Sequence, residues 1–138
     1  MKVYLAAPML GVRKALGTVK ALAKALTEEG YMLLTPHVID EVLDVERGMS
    51  PEEVYERDVR LLEEADVLVA EVSYPSLGVG FEIAYALLKG KRVLALCHKR
   101  RLGKTSALIR GIRDNRFKLL TYDDSNDAVQ KLLSELES

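Results

Sequence analysis

Residues Ala65–Leu87, ADVLVAEVSYPSLGVGFEIAYAL, decide how the chain folds. Val67–Val72 (VLVAEV) is a short apolar run rich in valine, which reads as a strand. Ser73–Gly80 follows, with a proline and two glycines that predict a loop. From Phe81 the pattern turns helical, and Gly90 closes a helix over Phe81–Lys89.

The same alternation extends in both directions. Upstream, Lys2–Ala6 (KVYLA) reads as a strand, and Ala15, Val19, Leu22 and Leu26 share one face of a helix from about Arg13 to Glu29, stopped by Gly30. Met32–Leu34 is a short strand ended by Thr35-Pro36. Ser50-Pro51-Glu52-Glu53 supplies an N-cap, a first-turn proline and early acids, so a helix starts there and runs to about Ala65. Downstream come a strand at Val93–Cys97, a basic loop at His98–Lys104, a helical piece around Ser106–Ile112, a strand at Phe117–Thr121 and a helix at Ser125–Leu136. Five strands separated by helices imply parallel pairing with right-handed crossovers. The expected fold is a three-layer α/β domain, flavodoxin-like or Rossmann-like, with a five-stranded parallel sheet flanked by helices. Ligands bind such sheets outside the carboxyl ends of the strands. The loops of interest are therefore Ala7–Val12, Thr35–Ile39, Ser73–Gly80 and His98–Thr105.

Composition narrows the function. At 138 residues the chain is expected to form one domain over 1–138, large enough to need no disulfide or metal staple. Lys plus Arg is 20 against 21 for Asp plus Glu, a balance that argues against coating nucleic acid or an anionic membrane. The chain has no Trp and 2 Phe, too few for a single-strand stacking platform. A lone Cys97 excludes a disulfide framework or a Cys-rich zinc site and suits a reducing cytosol. No apolar run approaches the roughly 20 residues of a membrane helix, and Val3–Leu10 reads as a first strand, not a signal peptide. A cytoplasmic location is expected.

Two nucleotide motifs fail. Gly103-Lys104-Thr105 resembles the end of a phosphate-binding loop, but the glycine required five residues earlier is His98. Gly78-Val79-Gly80 opens a helix like a dinucleotide fingerprint, yet Ile83 occupies the third glycine position.

The informative residues are carboxylates. Asp58 falls within the apolar stripe Val54, Tyr55, Leu61, Leu62 and Ala65, where a charge is costly unless something there uses it. The alternative is a helix edge, with Asp58 in water or paired with Arg57 or Arg60. Glu82 is expected in the first helical turn after a loop whose glycines permit close backbone approach; the helix field would keep it ionised, suiting a nucleophile. Glu71, inside a strand, ranks below these as a residue solvated at the strand end. Tyr4 reads first as core, His37 and His98 as isolated histidines. Lys99, Arg100, Arg101, Lys104, Arg110 and Arg113 form either a phosphate site or a solvated surface.

Taken together, YLAAP at Tyr4–Pro8, the Asp58 helix and ADVLVAEVSYPSLGVGFEIAYAL resemble the nucleoside 2-deoxyribosyltransferase superfamily. Within it, PSLGVGFE followed by TSALIRG at Thr105–Gly111 is similar to the 2′-deoxynucleoside 5′-phosphate N-hydrolases. The resemblance implies cleavage of a deoxynucleoside monophosphate to free base and deoxyribose 5-phosphate, with no metal or organic cofactor. It implies Glu82 as the nucleophile, Tyr4 as the residue that orients it and Asp58 as an active-site aspartate contacting substrate. It further implies substrate contacts at Ala7, Pro8, Met9, Leu10, Gly11, Val12 and Arg13, at Ser76, Gly78 and Gly80 around sugar and phosphate, and at His37 beside the base. Ser106 would reach the phosphate from a neighbouring subunit, so a homodimer is implied, and Ala107 and Leu108 are implied as further substrate contacts. One departure stands out: the hydrolases carry Ser-Ile-Arg-Gly-Gly-Arg after the first strand, where this chain has Pro8-Met9-Leu10-Gly11-Val12-Arg13. The lost first arginine leaves open a transferase acting on unphosphorylated nucleosides. A non-catalytic nucleotide-binding module is the third reading.

Overall fold

A computed structural model describes residues 1–8, 14–40, 44 and 47–138. Its elements are β1 (Lys2–Ala6), α1 (Leu16–Glu28), β2 (Met32–Leu33), α2 (Pro51–Glu64), β3 (Val67–Glu71), α3 (Leu77–Leu88), β4 (Arg92–His98), α4 (Ala107–Arg110), β5 (Phe117–Tyr122) and α5 (Ser125–Glu137), with 3₁₀ turns at Pro36–Ile39 and Lys99–Lys104. The five strands form one parallel sheet in the order β2-β1-β3-β4-β5. That order is the flavodoxin-like one, which decides between the two architectures the sequence left open.

The central strands β1, β3 and β4 are buried on both faces, as the inner strands of a parallel sheet are, while β2 and β5 form its partly exposed edges. Alternation along β1 sends Val3 and Leu5 toward α1 and α5, and Tyr4 and Ala6 toward α2 and α3. Val67 and Val69 of β3 join the first layer, and Leu68 and Ala70 the second. The strand order reverses between β1 and β3, so the connections leaving their paired carboxyl ends run to opposite faces of the sheet and leave a crevice. Helix α2 starts where its sequence requires: Ser50 Oγ accepts from Glu53 N at 3.1 Å, and the Glu53 side chain accepts from Ser50 N at 3.0 Å.

Three expectations need correction. Helix α3 begins at Leu77, not Phe81, because the Ser76 hydroxyl accepts from Val79 N at 3.2 Å and caps it there. Gly78 and Gly80 are therefore helical, the loop is confined to residues 73–76, and Glu82 lies in the second turn. Tyr55 is 57% exposed, not part of a buried stripe; Leu62 and Ala65 carry the burial of α2 and its end. Glu71 is not solvated at all. It is fully buried, accepting from Ser73 N at 2.6 Å, from Ser73 Oγ at 3.0 Å and from the Tyr122 hydroxyl.

Candidate active site

The crevice beside β1 and β3 opens into a groove of about 430 Å³ whose walls include Ala7, Val54, Asp58, Ser76, Gly78 and Glu82. β1 contributes Tyr4, buried with its ring among Ala6, Leu68 and Ile83. Helix α3 contributes Glu82, whose Oε2 accepts a hydrogen bond from the Tyr4 hydroxyl across 78 residues of sequence. Helix α2 contributes Asp58, and the 3₁₀ turn after β2 brings His37 Nε2 to 3.9 Å from Asp58 Oδ1. Asp58 and Glu82 line the groove itself, while Tyr4 and His37 stand behind them through their contacts with Glu82 and Asp58.

Burial dominates the electrostatics of Glu82. Burial raises the Glu82 pKa from its ordinary 4.5 to about 7; the Tyr4 hydrogen bond pulls it down, the Asp58 charge pushes it up and Arg57 lowers it. The expected permanently ionised glutamate is therefore corrected. A helix-end field cannot outweigh desolvation once the side chain points under β1. Burial, and then the charges of Glu82 and Asp58, keep Tyr4 protonated far above its usual range. His37 is lowered by burial first, then by the nearby Arg57 charge. Arg57 donates from Nε to Asp58 Oδ1 at 3.0 Å and from Nη2 to Asp44 Oδ2 at 2.7 Å. Of the partners considered for Asp58, Arg57 is the one it has; no contact to Arg60 takes its place.

The remaining residues are spread over several places. Ala7, Ser76 and Gly78 line the groove with Asp58 and Glu82. Gly80 is not among the residues that line this groove, and a Cβ there would meet nothing within 4 Å. Ser76 also faces a second cleft of about 200 Å³, which Gly80, Lys104 and Ser106 line with it. Ala107 and Leu108 lie outside both hollows, Leu108 being 82% exposed. Pro8 is buried, and Met9, Leu10, Gly11, Val12 and Arg13 lie outside the described residues.

Much of the basic stretch is used by the chain itself. Arg101 donates to Ser73 O at 3.0 Å and covers the Tyr74 ring at 4.3 Å; Arg110 donates to Thr105 O at 3.1 Å; Lys99 pairs with Asp123 at 3.1 Å. His98 accepts from Arg100 N and packs edge-on against Tyr122. Among the described residues no cluster of His, Cys, Asp and Glu could hold a metal ion, and no helix is long and apolar enough to cross a membrane.

The model of the family described as nucleoside 2-deoxyribosyltransferase matches residues 3–121, spanning every element from β1 to β5 that shapes the groove. The chain belongs to the nucleoside 2-deoxyribosyltransferase family. A relative from Thermofilum pendens, provisionally named 2′-deoxynucleoside 5′-phosphate N-hydrolase 1, is 65% identical, with 99% of this chain and 95% of the relative covered. A mouse relative, 5-hydroxymethyl-dUMP N-hydrolase, is 35% identical over 95% of this chain and 76% of its own length. A CMP N-glycosidase structure from Clostridium botulinum superposes with a TM-score of 0.73 at 23% identity, covering 98% of this chain and 99% of that one, a likeness of fold. These relatives carry enzyme names, and the expectation of an enzyme over a non-catalytic module stands.

Two polar residues, Arg57 on α2 and Glu71 at the end of β3, carry more of the structure than their sequence context signals. Arg57 entered only as a possible neighbour of Asp58, although the adjacent Arg-Asp pair was its signal. Glu71 interrupts an otherwise apolar strand, and that interruption was the only sign of the buried hydrogen-bonded cluster it forms with Ser73 and Tyr122.

Proposed function

We propose that this family member hydrolyses the N-glycosidic bond of 2′-deoxynucleoside 5′-monophosphates, acting as one domain over residues 1–138. The observation that carries this reading is Glu82 hydrogen-bonded to Tyr4 in the groove at the sheet's switch point, with a pKa near neutrality. The names of the Thermofilum and mouse relatives support nucleotide substrates.

In the proposed reaction, the Glu82 carboxylate attacks C1′ of the deoxyribose. The C1′–N bond breaks as the glycosyl ester forms, and the base leaves with the bonding electrons and takes up a proton. Water then adds to C1′, releasing Glu82 and deoxyribose 5-phosphate, the double displacement of retaining glycosidases. Tyr4 orients the attacking oxygen, Asp58 contacts the sugar, and His37 stands on the base side. Ser76 and the backbone at Gly78 and Gly80 border sugar and phosphate. Pro8, Met9, Leu10, Gly11, Val12 and Arg13 complete the substrate contacts in this reading. No metal or organic cofactor takes part.

Incubating purified protein with the four deoxynucleoside monophosphates and the matching nucleosides, with and without an acceptor base, tests this directly. Free base and deoxyribose 5-phosphate are expected from at least one monophosphate without acceptor. Leu10 in place of the hydrolases' arginine favours the second reading, a deoxyribosyltransferase. Base exchange on unphosphorylated nucleosides without hydrolysis of monophosphates would establish it.

The same reading includes a homodimer. Leu77, Phe81 and Leu88 form an exposed apolar face on α3, being 97%, 49% and 88% exposed, and Leu108 on α4 is exposed as well. Such exposed apolar side chains suit a second copy of the chain, with Ser106 reaching toward the neighbouring groove. Leu88→Glu is expected to shift the sedimentation velocity peak from dimer to monomer. A wild-type monomer at micromolar concentration would remove the dimer from this account. A cytoplasmic setting rests on the lone buried thiol, Cys97.

A further inference from the structure

We propose that Arg57 is a positioning residue of this site: its guanidinium fixes the Asp58 carboxylate and supplies the cation that the Tyr4–Glu82 pair faces. The geometry is that of a planar fork used in every direction. Nε donates to Asp58 Oδ1 at 3.0 Å, Nη2 to Asp44 Oδ2 at 2.7 Å, and Nη1 reaches Met49 Sδ at 3.4 Å. The Arg57 side chain is 19% exposed, so these contacts are sheltered from water and screened less than surface pairs. Three anchors spread around one plane fix its orientation, which an ammonium on a flexible stem cannot reproduce.

Placement gives the fork its consequence. Asp58 and Glu82 are like charges facing one groove, a pair that normally drives one partner to hold a proton. Arg57 sits beside Asp58 and opposes this: its charge lowers Glu82 and His37 and acts on Tyr4 in the same direction. The groups facing Glu82 are Tyr4 from β1 and Asp58 and Arg57 from α2. Across Asp58 stands His37 from the 3₁₀ turn, and behind Arg57 stands Asp44, whose own pKa the Arg57 hydrogen bond lowers. Arg47 pairs farther out with Asp40 at 3.2 Å. Arg57 is thus shared between Asp44, which partly neutralises it, and the groove, where the remainder of its charge favours an ionised Glu82.

This assignment predicts two shifts of opposite sign. Removing the cation raises the pH at which Glu82 ionises; removing Asp44 frees more of the cation and lowers it. The test is carboxyl carbon-13 NMR on glutamate-labelled protein, with the Glu82 resonance identified by its loss in Glu82→Gln. Arg57→Gln is expected to move the Glu82 midpoint up by about half a unit or more. Asp44→Asn, which keeps Arg57 and α2 intact, is expected to move it down. Arg57→Lys should stay nearer wild type in midpoint yet lose rate, because charge remains while the hold on Asp58 loosens. The midpoint measurement needs no turnover; only the matching shift of the kcat/KM pH profile rests on the proposed hydrolysis. An unchanged midpoint in Arg57→Gln, or an upward shift in Asp44→Asn, overturns the inference. The predicted midpoint shifts in a protein that releases no base would support Arg57's role while rejecting the proposed reaction.

Discussion

Glu82→Gln is expected to abolish base release, by at least about a thousandfold, while making the protein more stable to heat above neutral pH. The rate follows from chemistry: an amide oxygen cannot form and then release a glycosyl ester as a carboxylate does. The stability gain follows from burial. Glu82 has a pKa of about 7 in the folded protein against an ordinary 4.5. A raised folded value means its contribution is fully present below about pH 4.5 and is lost as pH rises through 7. Ionised Glu82 above pH 8 therefore costs on the order of 3 kcal/mol relative to its protonated form. Glutamine has no such loss, so the variant's melting temperature should exceed wild type by several degrees at pH 8 and converge with it near pH 5. Turnover within tenfold of wild type would reject Glu82 as nucleophile. A melting difference that does not change between pH 5 and 8 would reject the buried, titrating carboxylate.

The same glutamate marks the boundary of what the sequence carries. Strands β1, β3 and β4 were legible because a parallel strand buried on both faces is a short unbroken apolar run; Lys2–Ala6 was placed to the residue. The groove's position followed from the same pattern, since the carboxyl ends of parallel strands are where crevices form. The start of α3 was not legible, because Gly78 and Gly80 carry the weight of loop residues in any local reading. The cap that overrides them, Ser76, is one hydroxyl six residues before Glu82. Ionisation was less legible still. Sequence gives the helix field around Glu82 but not the β1 tyrosine and α2 aspartate that enclose it, 78 and 24 residues away along the chain. Glu71 fails for the same reason. Its partner Tyr122 is 51 residues distant, and only the folded sheet makes them neighbours.

Tyr4→Phe should reduce base release roughly 10- to 100-fold at pH 7, with a deficit that shrinks as pH rises toward 9. The ring is part of the core against Ala6, Leu68 and Ile83, and phenylalanine preserves that packing, so the fold should persist. What disappears is the hydroxyl that donates to Glu82 Oε2. A donor to the charged form of an acid lowers its pKa, so removing it raises Glu82 beyond about 7 and leaves less carboxylate at neutral pH. Raising the pH restores the ionised fraction and with it part of the rate. The part that does not return measures the lost orientation of the attacking oxygen, since a carboxylate without its donor samples more rotamers. The two contributions separate in a kcat/KM profile from pH 5 to 9: a displaced limb reports proton affinity, and a lowered plateau reports aim. A deficit of equal size at every pH would mean that Tyr4 only orients Glu82. Wild-type rates in Tyr4→Phe would mean that the hydrogen bond joining β1 to α3 has no part in the reaction.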